Sequence, residues 1–141
     1  RHGAHFLTAF EIFKENYLIG SGIKTFRVEC SKEKYSKINS KSARIRCNTH
    51  PHQLFLEILS EGGIFLFLTF VCFLVYLIFK IKSNNNLTKN STTFLYLLLI
   101  VLFLPIQTSG SFFSTFNGLF YFMAFAVIFF KLNIKLISES K

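Results

Sequence analysis

The stretch GGIFLFLTFVCFLVYLIF, residues 62–79, carries no charge and no proline. A run of that length is enough for a short transmembrane helix, which needs roughly 20 apolar residues. Two further apolar runs follow it, TTFLYLLLIVLFLPI at 92–106 and NGLFYFMAFAVIFF at 117–130. Uncharged, Phe- and Leu-rich runs in series read as membrane spans rather than as the buried hairpin of a soluble core. With their flanks they give three expected spans, at about 62–80, 92–107 and 114–130. The expected fold is therefore all-α: a polytopic helical membrane protein in which a water-facing segment, 1–61, precedes a membrane region, 62–141.

Charge sets the expected orientation. The linker KIKSNNNLTKNS holds Lys80, Lys82 and Lys89, and the tail KLNIKLISESK holds Lys131, Lys135 and Lys141. The loop QTSGSFFSTFN has no charge. The positive-inside rule puts the lysine linker and the C-terminal tail in the cytoplasm, and the uncharged loop outside. By alternation residues 1–61 lie outside too. That segment is basic, but long segments translocate largely regardless of charge. The formal charge of the whole chain is +9. No nucleic-acid motif accompanies it, so nucleic acid is not an expected partner; membrane lipids and an anionic ligand are. The chain starts at Arg1 with no signal-peptide pattern, and helical periodicity begins at once. It reads as the C-terminal part of a longer protein, which a complete activity would require.

Within the outer segment, residues 2–16 have Phe6, Ala9, Phe10 and Phe13 at helical spacing, with Glu11, Lys14 and Glu15 on the other side. Gly20-Ser21-Gly22 ends that helix, because two close glycines favour a turn with positive φ. The polar stretch 28–47 reads as a loop bracketed by Cys30 and Cys47, a possible disulfide on an oxidising face. Cys72, inside the first apolar run, reads as a packed thiol.

The stretch THPHQLFLEILSEGG follows. The residue before a proline is pushed out of the α region, so His50 is the expected N-cap, with Pro51 at N1 and Gln53 at N3. Leu54, Phe55, Ile58 and Leu59 make an apolar stripe; Gln53, Glu57 and Glu61 make a polar side. Gly62-Gly63 marks a joint before the first span. An imidazole at a helix N-terminus is kept neutral by the dipole and can accept a proton, and the same end attracts anions. His50 or His52 is thus a candidate base beside a phosphate. The alternatives are cap histidines, or a zinc site built from His2, His5, His50 and His52. The chain has no aspartate and its cysteines are poorly spaced for ligands, so neither metal nor cofactor is expected.

Three blocks together resemble the C-terminal part of the O-antigen ligase and lipid-linked polysaccharide polymerase family of bacterial inner-membrane glycosyltransferases. They are RHGAHFLTAFEIFKENYLIGSGIKTF, THPHQLFLEILSEGGIF and LPIQTSGSFFSTFNGLFYF, in that order and spacing. The resemblance covers most of the chain except the Cys30–Cys47 loop. It implies metal-independent transfer of a glycan from undecaprenyl diphosphate on the periplasmic face of the inner membrane. The acceptor would be a hydroxyl of lipid A core in a ligase, or of another lipid-linked glycan in a polymerase. It implies His52 as catalytic base, because His52 immediately precedes the family's Asn slot, occupied here by Gln53. His50 stays a second candidate. Arg1 is the implied diphosphate clamp, with Arg44 and Arg46 as weaker candidates, and Gly20, Gly22, Gln53 and Gly62 are structural. A non-enzymatic transport or receptor component is the competing class. Transport predicts charged residues within the spans, and the three apolar runs contain none.

Overall fold

The computed structural model describes residues 2–37, 43–104 and 110–138. Arg1 therefore lies outside the described residues, as do residues 38–42 of the basic loop, 105–109 at the end of the second apolar run, and the end of the tail. Every regular element among the described residues is helical, without a strand. The order is α1 (His2–Glu15), α2 (Phe26–Glu29), a 3-10 turn (Glu33–Lys37), α3 (Ala43–Arg46), α4 (Leu54–Ser83), α5 (Lys89–Phe103) and α6 (Thr115–Ser138). The stretch expected to be plain loop thus contains three short helical pieces.

Two helices, α4 and α6, are long and apolar enough to cross a membrane. α5 has 15 residues, about 22 Å at 1.5 Å per residue, short of the ~30 Å hydrocarbon core. Its start is sharp: the Thr88 hydroxyl accepts from Ser91 N at 3.2 Å. Between these helices the core is built from rings. Phe103 stacks on Phe125 at 5.5 Å, and Phe73 meets Phe125 edge-on at 5.1 Å. Offset and edge-to-face pairs each add about 0.5–1.5 kcal/mol beyond their buried area, which is how so phenylalanine-rich a bundle packs specifically. Phe65, Phe79, Val101, Phe116 and Phe122 point outward and are each more than half exposed. An outward-facing apolar surface on two such helices is what lipid contact requires. Cys72 is also exposed on α4 rather than packed.

A second core lies outside this bundle. Ala9, Ile12, Phe26, Cys30 and Tyr35 close over α1. The buried stripe of α1 is His5, Thr8, Ala9 and Ile12, so the expected Phe stripe is rotated. Thr8 can be buried because its hydroxyl donates to Ala4 O at 2.8 Å. Phe10 stays exposed under the Lys14 ammonium, 4.8 Å from its centroid. Tyr35 Oη donates to Glu15 at 2.8 Å, and Lys34 pairs with the same carboxylate. The bond from that ammonium holds the Glu15 carboxyl below its usual range, against the opposing cost of burial.

Cys30 and Cys47 are joined by a disulfide, their Cα atoms 5.3 Å apart across a separation of 17 residues. Arg46 is buried beside it and donates to the carbonyls of Cys30 (2.8 Å), Ser31 (3.1 Å) and Lys32 (3.3 Å). Closing a loop of this length contributes about 3 kcal/mol through the unfolded state. The Cys30→Ser/Cys47→Ser variant should accordingly unfold earlier in detergent, and thermal melts with and without reductant check it. A reductant-insensitive melt of the unsubstituted protein would contradict it.

Candidate functional site

The site is assembled by the first two turns of α4. The expected helix start is corrected by three residues. Gln53 is the N-cap, in extended geometry, and its side chain accepts from Leu56 N at 2.5 Å. His52 has φ 62, a left-handed conformation that cannot belong to the helix, so Pro51 is not N1 and His50 is not the cap. The Gln53 side-chain carbonyl is therefore spent on the cap. The amide beside His52 comes instead from Asn48, whose Nδ2 donates to His52 Nε2 at 2.7 Å.

Glu57 and Glu61 are not a solvated polar side. Both are 1% exposed. They lie one turn apart on one face of α4, and each holds a different neighbour. The Glu61 carboxylate accepts from Lys24 N at 2.6 Å and Phe26 N at 3.0 Å, which caps α2. The Glu57 carboxylate accepts from Ser111 Oγ at 2.5 Å and Phe112 N at 2.8 Å, which fixes the approach to α6. Charge-assisted bonds of this kind are roughly twice as strong as neutral ones. They satisfy buried backbone donors that would otherwise be costly.

The Lys24 wall is also pinned by backbone. Ser21 N and Gly22 N donate to Ser60 O and Glu61 O, both at 2.9 Å, and Ile64 N donates to Tyr17 O at 2.8 Å. These bonds need the chain to turn at both partners. Gly20 has φ +71 and Gly22 has φ +108, while the break in α4 falls at Gly63, φ +70. Gly62 precedes that break and remains helical.

Between the two walls is a cleft of about 270 Å³ lined by Lys24, Arg27, Thr49, His50, Ser111, Ser114 and Asn117. Its described lining holds two cations, an imidazole, hydroxyls and an amide, and no carboxylate, because Glu57 and Glu61 face their own partners. Such a lining suits an anion with oxygen acceptors. His50 Nδ1 is 3.0 Å from Thr49 Oγ1. The His50 and His52 rings lie 4.2 Å apart, and His5 of α1 joins them at 5.4 Å from His52. Among the described residues, no group of three or more His, Cys, Asp or Glu is arranged to hold a metal ion.

His50 therefore lines the cleft, with His52 directly behind it. Arg44 is exposed on α3 and does not line the cleft; Arg46 turns its guanidinium to the backbone near the disulfide. The sequence did not single out Lys24 and Arg27, and it offered His5 only as a possible zinc ligand with His2, His50 and His52. Lys24 and Arg27 were indistinguishable from other surface cations. Only the left-handed turn at Lys24, φ 60, and the Glu61 peg aim that segment at α6. The class these features define is an all-helical chain with two helices able to cross a membrane and a cationic, histidine-bearing cleft. Compared with protein-family models, curated proteins and solved structures, the chain matches none.

Proposed function

We propose that this chain is the catalytic C-terminal part of a bacterial inner-membrane glycosyltransferase of the O-antigen ligase type. Three spans, at about 62–80, 92–107 and 114–130, would carry the histidine segment on the periplasmic face. The observation that carries the proposal is the juxtaposition of Lys24, Arg27 and His50 in one cleft, with the His52 ring 4.2 Å from that of His50. In the proposed reaction the bond between the anomeric carbon and the diphosphate oxygen breaks. The acceptor oxygen takes its place, and its proton passes to an imidazole. Lys24 and Arg27 offset the charge that grows on the leaving diphosphate. Arg1 would join them in the full-length protein. A lipid-linked polysaccharide polymerase would use the same cleft with a different acceptor. Complementation of ligase-null and polymerase-null strains separates the two by glycan ladder length.

The cations give the direct test. Lys24→Asn keeps a residue that tolerates left-handed backbone, and Arg27→Gln keeps the length. Hydrogen bonds to charged groups are worth about 1.5–3 kcal/mol each, so the double variant should lose roughly 10²-fold or more in kcat/KM for the lipid-linked donor. Donor kinetics on the full-length protein in proteoliposomes measure this. Unchanged kcat/KM would remove the cleft as the diphosphate site.

A further inference from the structure

α4 is about 45 Å long at 1.5 Å per residue, and its far end holds a second cavity, of about 530 Å³. This cavity is lined by Lys80 and Ser83, by the turn Asn84-Asn85-Asn86, and by Phe129, Leu132 and Asn133 of α6. We propose that it binds the phosphate of an anionic phospholipid headgroup, with Lys80 as the cation. The site is independent of the glycosyltransferase reading.

Charge is the first support. Residues 62–138 contain Lys80, Lys82, Lys89, Lys131 and Lys135 and no acid. Among the described residues that line the cavity, Lys80 is the charged one and no carboxylate competes with it. A basic residue at a membrane surface attracts anionic lipid by about fivefold. The second support is that the cavity is pre-built. Asn84 Nδ2 donates to Leu132 O at 3.1 Å, which ties the turn to α6. Asn86 N donates to Asn84 Oδ1 at 3.0 Å, which closes the turn on itself. The side chains of Ser83, Asn85 and Asn86 bring hydroxyl and amide donors suited to phosphate oxygens. The third support is depth. The cavity sits where two membrane-length helices end, with Phe129 and Leu132 as an apolar wall for the first acyl methylenes. The Lys80 ammonium lies 5.7 Å from the Tyr76 ring centroid. The described lining has no carboxylate to pair with a choline, so the cavity favours a headgroup of net negative charge.

Native mass spectrometry of the full chain, titrated with short-chain phosphatidylglycerol or phosphatidylcholine, tests this. One phosphatidylglycerol should be retained at least about tenfold more tightly than phosphatidylcholine. Lys80→Gln should weaken it about fivefold. Lys89→Gln, which alters the same net charge outside the cavity, should leave it unchanged. Equal retention of the two lipids overturns the proposal, and so does equal loss in the two lysine variants. Displacement of phosphatidylglycerol by millimolar inorganic phosphate overturns the lipid as the source of the phosphate group.

Discussion

Exchange of His52 for asparagine in the full-length protein is expected to lower glycan transfer by roughly 10²–10⁴-fold, the range that a positioned general base contributes. Asparagine is the informative variant. His52 sits at φ 62, where asparagine is tolerated and alanine is strained. The Asn48 amide, 2.7 Å from His52 Nε2, is exposed, so water can take the place of that ring nitrogen. Loss of transfer in His52→Asn therefore reports the lost imidazole rather than a lost loop. His50→Gln is the paired variant, since His50 lines the cleft and its ring is 4.2 Å from His52. Glycan ladders and membrane-inserted protein are measured together. Loss in His50→Gln with normal transfer in His52→Asn would move the base to His50 and sink the positional assignment from the family resemblance. Normal transfer in both variants would sink the enzymatic reading.

The gross fold was legible because it rests on composition. An uncharged run such as residues 62–79 has few homes other than lipid, and consecutive glycines in a helical pattern announce a joint. The site was not legible, because it rests on contacts between distant residues. Glu57 reaches Ser111 and Phe112 across 54 and 55 residues, and Glu61 reaches Lys24 and Phe26 across 37 and 35. On a helical projection both glutamates lie on the polar side, and polar residues are ordinarily solvated. Nothing local says that two backbone turns arrive to use them as caps. The start of α4 failed for a different reason. The proline rule gives where a helix is allowed to begin, but the left-handed turn at His52 delays it until Gln53. Once that turn is known, the two rings separate: His50 lines the cleft, and His52 meets Asn48.

Gly63→Ala is expected to be strongly destabilising. At φ 70 and ψ −172 the backbone occupies a region that is essentially glycine-only. A Cβ there would also stand 2.4 Å from Leu18 O and 2.5 Å from Gly20 N. Those atoms are backbone, held by the bonds from Ile64 N to Tyr17 O and from Ser21 N to Ser60 O, so they cannot swing aside as a side chain would. Strain of about 1–2 kcal/mol and overpacking of about 1–3 kcal/mol act together. A total of about 3 kcal/mol lowers Tm by roughly 10 °C in a chain of this size. The effect should spread to function, because the same turn carries Lys24 to the cleft. Gly3→Ala is the control: a Cβ at Gly3 meets nothing within 4 Å, and alanine in a helix is favoured over glycine by roughly 0.5–1 kcal/mol. Melts of the two variants in detergent should therefore diverge, Gly63→Ala falling and Gly3→Ala holding or rising slightly. A Gly63→Ala protein that melts with the unsubstituted chain would mean that the turn at residues 17–25 does not clasp the break in α4.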